Sequence, residues 1–157
     1  MLTSALFIAM TTALTYFIKI PVANGYIHAG DGIVYLAACV LPAPYALFAA
    51  GIGGALADIF SGYPLFSFPT FIIKALITLL FTSKNDTVLT KRNALMVLPA
   101  GMVTVTGYFL AGWMFYGWEG AVPGLLGDVI QAAGSAILFL VLASAFDKNK
   151  LKQKLVR

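Results

Sequence analysis

The chain alternates between long apolar runs and short breaks rich in proline, glycine or charge. Leu2 to Ile18 carries no charge and ends at Lys19-Ile20-Pro21, which predicts a first helix. A polar loop, Asn24 to Asp31, follows it. Gly32 to Leu41 is apolar but short, and Pro42 and Pro44 interrupt it. Tyr45 to Ser61 predicts a third helix, closed by Gly62-Tyr63-Pro64. Pro69 suits the first turn of a fourth helix running to Phe81. Ser83 to Asn93 is charged and belongs in water. Ala94 to Tyr116 predicts a long fifth helix, Trp118-Glu119-Gly120 a turn, and Pro123 to Phe146 a sixth helix before a basic tail. The second run is the weak point. Ten residues of helix rise only about 15 Å, half of a hydrocarbon core. It must be tilted, extended by its flanks or buried in protein. A single helix from Gly32 to Ala57 is the rival reading, with two prolines near its middle.

Composition turns these runs into membrane spans. The 157 residues are 61% hydrophobic and 10% charged, and the mean hydropathy is +0.92. A soluble domain is only about 45–50% apolar and about 25% charged. The expected fold class is therefore all-α, an integral membrane bundle of six transmembrane helices forming a single domain over residues 1–157. The first run lacks a basic flank and a following polar domain, so it reads as a span and not as a signal peptide. Cys39 stands alone in an apolar run, which excludes an internal disulfide.

Charge adds an orientation. Lys84, Lys91 and Arg92 lie in one loop, and Lys148, Lys150, Lys152, Lys154 and Arg157 lie in the tail. Both segments then face the cytoplasm, and both termini are cytoplasmic. The net charge of +4 reads as topology and lipid contact. No solvated basic face for nucleic acid is present. The expected localisation is a bacterial cytoplasmic membrane.

Polar groups within the spans converge at one depth. Asp58 lies near the outer end of the third helix and Lys74 about 7.5 Å into the fourth. Tyr108, Trp113 and Tyr116 lie in the outer half of the fifth, and Asp128 and Gln131 in the first turns of the sixth. Intramembrane charge is costly and usually faces a cavity or a bundle interior, so this convergence suggests a pocket open to the outside. A plainer reading exists for each residue. Asp58 and Lys74 could pair and lock two helices, Trp113, Tyr116 and Trp118 could form an interfacial belt, His28 could be a solvated loop residue, and Asp31 could cap the second helix.

Small residues form two stripes. Ala5, Ala9 and Ala13 recur every four residues along the first helix, and Ala49, Ala50, Gly51, Gly53, Gly54, Ala55 and Ala57 crowd the third. Such stripes permit close helix approach, inside the bundle or against a partner. Catalytic motifs are missing. There is no phosphate-binding G-x-x-x-x-G-K-[ST], no H-E-x-x-H and no G-x-S-x-G, and Gly51-Ile52-Gly53-Gly54 sits inside an apolar helix with no strand before it. An enzyme is not expected, nor is a metal or cofactor held by this chain.

The ordered set resembles the S components of energy-coupling factor (ECF) transporters. It comprises Ala5/Ala9/Ala13, Gly30-Asp31 at the second helix, a Gly/Ala-rich third helix ending Ala57-Asp58, Pro69-Thr70-Phe71-Ile72-Ile73-Lys74, and Pro123 with Gln131 and Gly134. The resemblance implies a high-affinity binding subunit for a vitamin or precursor. Its implied partners are a transmembrane coupling protein, met by the alanine stripe, and two ATPases that use the ATP. The candidate ligand contacts are Asn24, Tyr26, His28 and Asp31 from the first loop, Lys74, Tyr108, Trp113, Tyr116 and Glu119 from the fourth and fifth helices and the turn after them, and Asp128 and Gln131 from the sixth. Many family members carry an Asn near the start of the sixth helix, where this chain has Gly127-Asp128. Aromatic faces and hydrogen-bonding groups suggest a small planar heterocycle, pyridoxine-like or an aminopyrimidine first, riboflavin or a thiamin relative behind. The alternatives are a self-sufficient secondary transporter or channel and, further off, a membrane-embedded enzyme using Asp58 and Asp128.

Overall fold

A computed structural model describes residues 1–22 and 25–155. Helix α1 spans Leu2–Phe17, and strands β1 (Lys19–Val22) and β2 (Gly25–His28) follow it. Then come α2 (Asp31–Val40), α3 (Ala43–Phe60), a short 3-10 turn (Pro64–Phe66), α4 (Ser67–Thr78), α5 (Lys91–Leu95), α6 (Val97–Ala121), a second 3-10 turn (Val122–Gly124), α7 (Leu125–Lys148) and α8 (Leu151–Leu155). The helical bundle agrees with the expected class, with one correction. The loop expected after the first helix is an antiparallel hairpin, pairing Lys19 with His28, Ile20 with Ile27 and Pro21 with Tyr26. Pro21 is tolerated because a two-stranded ribbon has only edge strands.

Three helical segments are long and apolar enough to cross a membrane by length and composition: Ala43–Phe60, Lys91–Ala121 and Gly124–Lys148. Leu2–Phe17, Asp31–Val40 and Pro64–Thr78 are apolar and shorter. Burial resolves the puzzle of the short second helix. Every residue of α2 is buried, enclosed by α1, α3, α4 and α7. Its length is therefore matched to protein and not to lipid. The rival continuous helix is ruled out at Leu41, which turns extended before Pro42 (φ −86°, ψ 150°). Pro44 then sits in the first turn of α3, where its missing N–H is not needed.

The third-helix stripe is internal packing. A Cβ on Gly53 would lie 2.8 Å from Thr11 Cβ and 3.1 Å from the Ile8 carbonyl oxygen. Only a glycine lets α1 and α3 approach this closely, and Thr12 Oγ1 donates to the Gly53 carbonyl at 3.0 Å across the seam. The first-helix stripe behaves oppositely. Phe7, Thr11 and Thr15 face the core, while Ala5, Ala9 and Ala13 are all exposed.

At the far end, polar side chains organise the charged loop. Asn93 Nδ2 donates to the carbonyls of Thr82 and Val88, each at 3.0 Å. Asp147 accepts the backbone N–H groups of Val88 and Leu89 at 2.7 and 2.8 Å. Lys152 donates to the carbonyls of Ser83 and Asn85, and burial lowers its pKa. These bonds join the loop that carries Lys84, Lys91 and Arg92 to the basic C-terminal segment at one end of the bundle.

Candidate functional site

The hairpin, the end of α3 with the turn that follows it, the second half of α6 and the start of α7 surround a half-open cavity of about 670 Å³, its mouth included. Strand periodicity supplies two of its walls. Tyr26 and His28 are two residues apart on β2, so both side chains point the same way, and both line the cavity. Helical periodicity supplies two more. Tyr108, Gly112 and Tyr116 fall on one face of α6, and Gly124, Asp128 and Gln131 on one face where α7 begins; all six line the cavity. Asp58, Tyr63 and Phe66 close the side nearest α3. Gly117, at φ 73° and ψ 178°, breaks α6 beside the rim, a conformation open almost only to glycine. The expected turn at Trp118-Glu119-Gly120 therefore begins one residue earlier, and those three residues are helical.

Beneath the cavity lies a buried polar chain. Gln131 Nε2 donates to Asp31 Oδ2 at 3.3 Å, and its Oε1 accepts the His28 backbone N–H at 3.2 Å. Asp31 Oδ1 takes the Lys74 ammonium in an ion pair that is 1% and 0% exposed. Lys74 Nζ also lies 5.1 Å from the centre of the Tyr108 ring, within cation–π range. The expected alternative pairing of Lys74 with Asp58 is not formed. Asp58 Oδ1 instead accepts the Tyr26 hydroxyl at 2.5 Å. Lys74 prefers Asp31 because α2 places that carboxylate in the fully buried centre, where an unpaired charge would be most costly.

His28 and Tyr26 are held in their neutral forms. Burial, and then the Lys74 charge, push the His28 pKa down to about 3. Its Nδ1 accepts the Gly30 N–H at 3.0 Å, which leaves Nε2 to carry the ring proton. Burial, followed by the Asp58 carboxylate, raises Tyr26 well above the ordinary phenol range. Lys19 Nζ donates to Ser61 Oγ at 2.8 Å and lies over the rings of Tyr16 and Tyr26. Two side-chain bonds, Lys19 to Ser61 and Tyr26 to Asp58, thus tie the hairpin to α3 and its end, while Gln131 ties it to α7.

Among the candidate contacts, Tyr26, His28, Tyr108, Tyr116, Asp128 and Gln131 line the cavity. Asp31 and Lys74 lie directly beneath, reached through Gln131. Trp113 and Glu119 are exposed and are not part of the lining. Trp113 packs on Phe109 and Trp118, with ring centres 6.4 and 6.0 Å away. Asn24 falls outside the described residues. Tyr63, Phe66 and the small residues Gly112, Gly120, Ala121 and Gly124 also line the cavity without having been singled out. The four-residue spacing of Tyr108, Gly112 and Tyr116 could have found one of them, and it also separates Tyr116 from Trp113. Among the described residues no three His, Cys, Asp or Glu side chains cluster as a metal site requires. The lining offers ring faces and hydrogen-bonding groups.

A family model described as "ECF-type riboflavin transporter, S component" matches residues 1–148. An "Uncharacterized protein in gap 3'region" of Pyrococcus woesei is 34% identical over 133 residues, covering 83% of this chain and 88% of that protein.

Proposed function

The chain belongs to the ECF-type riboflavin transporter S-component family, and from that premise we propose that it captures riboflavin, or a closely related ring vitamin, in the cavity under the hairpin. The observation that carries this reading is the lining itself. Tyr26, Tyr108, Tyr116 and Phe66 present ring faces, and His28, Asp58, Asp128 and Gln131 present hydrogen-bonding groups, around one half-open space. A flat heterocycle with N–H and O–H groups is complementary to that combination. The family description moves riboflavin ahead of the pyridoxine-like and aminopyrimidine ligands that the sequence suggested first.

In this reading the chain is a membrane subunit with six membrane-embedded helices, α1–α4, α6 and α7. The cavity faces outside, and both termini and the Lys-rich loop face the cytoplasm. The basic residues gathered at the end opposite the cavity support that orientation. Transport is completed by a transmembrane coupling protein and two ATPases, which hydrolyse the ATP. The exposed Ala5–Ala9–Ala13 strip is the proposed seat of the coupling protein, since a flat strip lets a partner helix approach closely.

The test is a fluorescence titration of the purified full-length protein in detergent with riboflavin, with pyridoxine and hydroxymethylpyrimidine run in parallel. Saturable one-to-one binding of riboflavin is expected. Folded protein that binds none of the three would overturn the reading.

A further inference from the structure

Most hydrogen-bonding groups in the cavity wall are spent on one another. Gln131 uses both ends of its amide, on Asp31 and on the His28 backbone N–H. The Tyr26 hydroxyl donates to Asp58. Thr70 stands beside both the Asp58 carboxyl and the Tyr108 hydroxyl, 3.2 Å from the latter. A ligand has to compete with these bonds.

The His28 ring is different. It lines the cavity and is only 8% exposed. Its Nδ1 accepts the Gly30 N–H at 3.0 Å, so the ring is neutral and its proton sits on Nε2. Burial, and then the Lys74 charge, oppose a second proton. Among the described residues nothing accepts a hydrogen bond from Nε2. Turning the ring over would leave the Gly30 N–H without its acceptor. The turn itself is clamped, because Thr15 Oγ1 occupies the space that a side chain at Gly30 would need. His28 therefore holds out one N–H in a fixed direction. A largely buried donor without an acceptor is costly, and an acceptor atom on a ligand would satisfy it.

We propose that the His28 Nε2–H is the fixed donor through which the cavity recognises its ligand, and that the ligand places a carbonyl oxygen or an unprotonated ring nitrogen against it. The proposal rests on the vitamin-binding reading above and assigns the residue and the direction of one hydrogen bond that this reading leaves open. His28 is then a specificity-determining residue. A ring that turns only N–H, O–H or C–H groups toward it leaves the imidazole N–H unpaired and is disfavoured, even where it fits between the aromatic faces. Riboflavin carries suitable acceptors in its carbonyl oxygens and unprotonated ring nitrogens.

The chain holds one histidine, so NMR of the full-length protein in detergent, isotope-labelled at the histidine ring, reads His28 alone. Without ligand, the proton should sit on Nε2 and not on Nδ1. Saturating riboflavin should move the Nε2–H proton signal downfield and slow its exchange with water. His28→Asn keeps an oxygen acceptor near the place of Nδ1 and withdraws the Nε2–H. In a fluorescence titration it should bind riboflavin about 10-fold more weakly, the worth of one hydrogen bond. His28→Gln, whose longer amide can offer Gly30 an oxygen and the cavity an N–H, should bind more tightly than His28→Asn. A proton on Nδ1, or an Nε2–H signal that stays in place when riboflavin saturates the protein, would overturn the assignment and leave the vitamin-binding reading standing. Full riboflavin affinity in His28→Asn would do the same. The wild-type spectra decide the matter alone should the variants fail to fold. If the wild type binds neither riboflavin, pyridoxine nor hydroxymethylpyrimidine, the underlying reading fails and the assignment falls with it.

Discussion

Lys74→Met removes one charge from the ion pair at the centre of the bundle while keeping a flexible apolar stem of similar length. Lys74 and Asp31 are 1% and 0% exposed, so water cannot replace the lost ammonium. The remaining partner of Asp31 is the Gln131 amide at 3.3 Å, a single long hydrogen bond. Breaking a buried pair by deleting one member costs about 3–5 kcal/mol, because the other charge is left uncompensated. At about 2–4 °C per kcal/mol for a chain of this size, the melting temperature should fall by on the order of 10 °C. Removing both charges is a different perturbation. Asp31→Asn combined with Lys74→Met leaves no buried charge, and most of the lost stability should return. Intrinsic fluorescence followed during heating in detergent measures both variants. Should Lys74→Met melt with the wild type, or the double variant melt no higher than the single one, the pair is not the lock between α2 and α4.

Ala9→Trp should leave vitamin binding by the isolated protein unchanged and abolish ATP-driven uptake by the assembled importer, since Ala9 lies on the exposed side of α1. Normal uptake, or loss of binding in the isolated protein, would remove the strip from the docking surface. Acid should weaken the fold through His28. Its pKa is about 3 in the folded state against 6.5 ordinarily, so its contribution is complete above about pH 6.5 and is lost as the pH falls toward 3. His28→Gln keeps an acceptor for the Gly30 N–H and should flatten the fall in melting temperature across that window; a slope identical to wild type would contradict the assignment.

Much of the bundle was legible because proline and glycine mark its corners. Pro42, Pro44, Pro69 and Pro123 predict helix boundaries within a few residues of those observed, since each fixes φ or removes a donor wherever it stands. The hairpin was not legible. Lys19-Ile20-Pro21-Val22 is too short and too broken by Pro21 to read as a strand, and its partner is defined by pairing across the loop, not by its own pattern. The depth of α2 was equally hidden, because ten apolar residues look alike whether lipid or protein surrounds them.

The site was half visible for a related reason. Depth along a helix brought Tyr108, Tyr116, Asp128 and Gln131 to one level, and all four line the cavity. Depth says nothing of direction. Trp113 shares that level but is turned away by its position in the helical repeat, and packs on Phe109 and Trp118. The pairing of Lys74 with Asp31 in place of Asp58 depends on how α2, α3 and α4 pack, which no local spacing encodes. With Asp31 taking the lysine, Asp58 is left at the cavity wall with the Tyr26 hydroxyl as its donor.

The most direct test of the central claim is vitamin uptake into proteoliposomes. The chain reconstituted alone should accumulate no labelled riboflavin, with or without an ion gradient. Together with a coupling protein and two ATPases it should accumulate riboflavin only when ATP is supplied on the side of the ATPases. Accumulation by the chain alone, driven by a gradient, would contradict the account and make this protein a transporter in its own right.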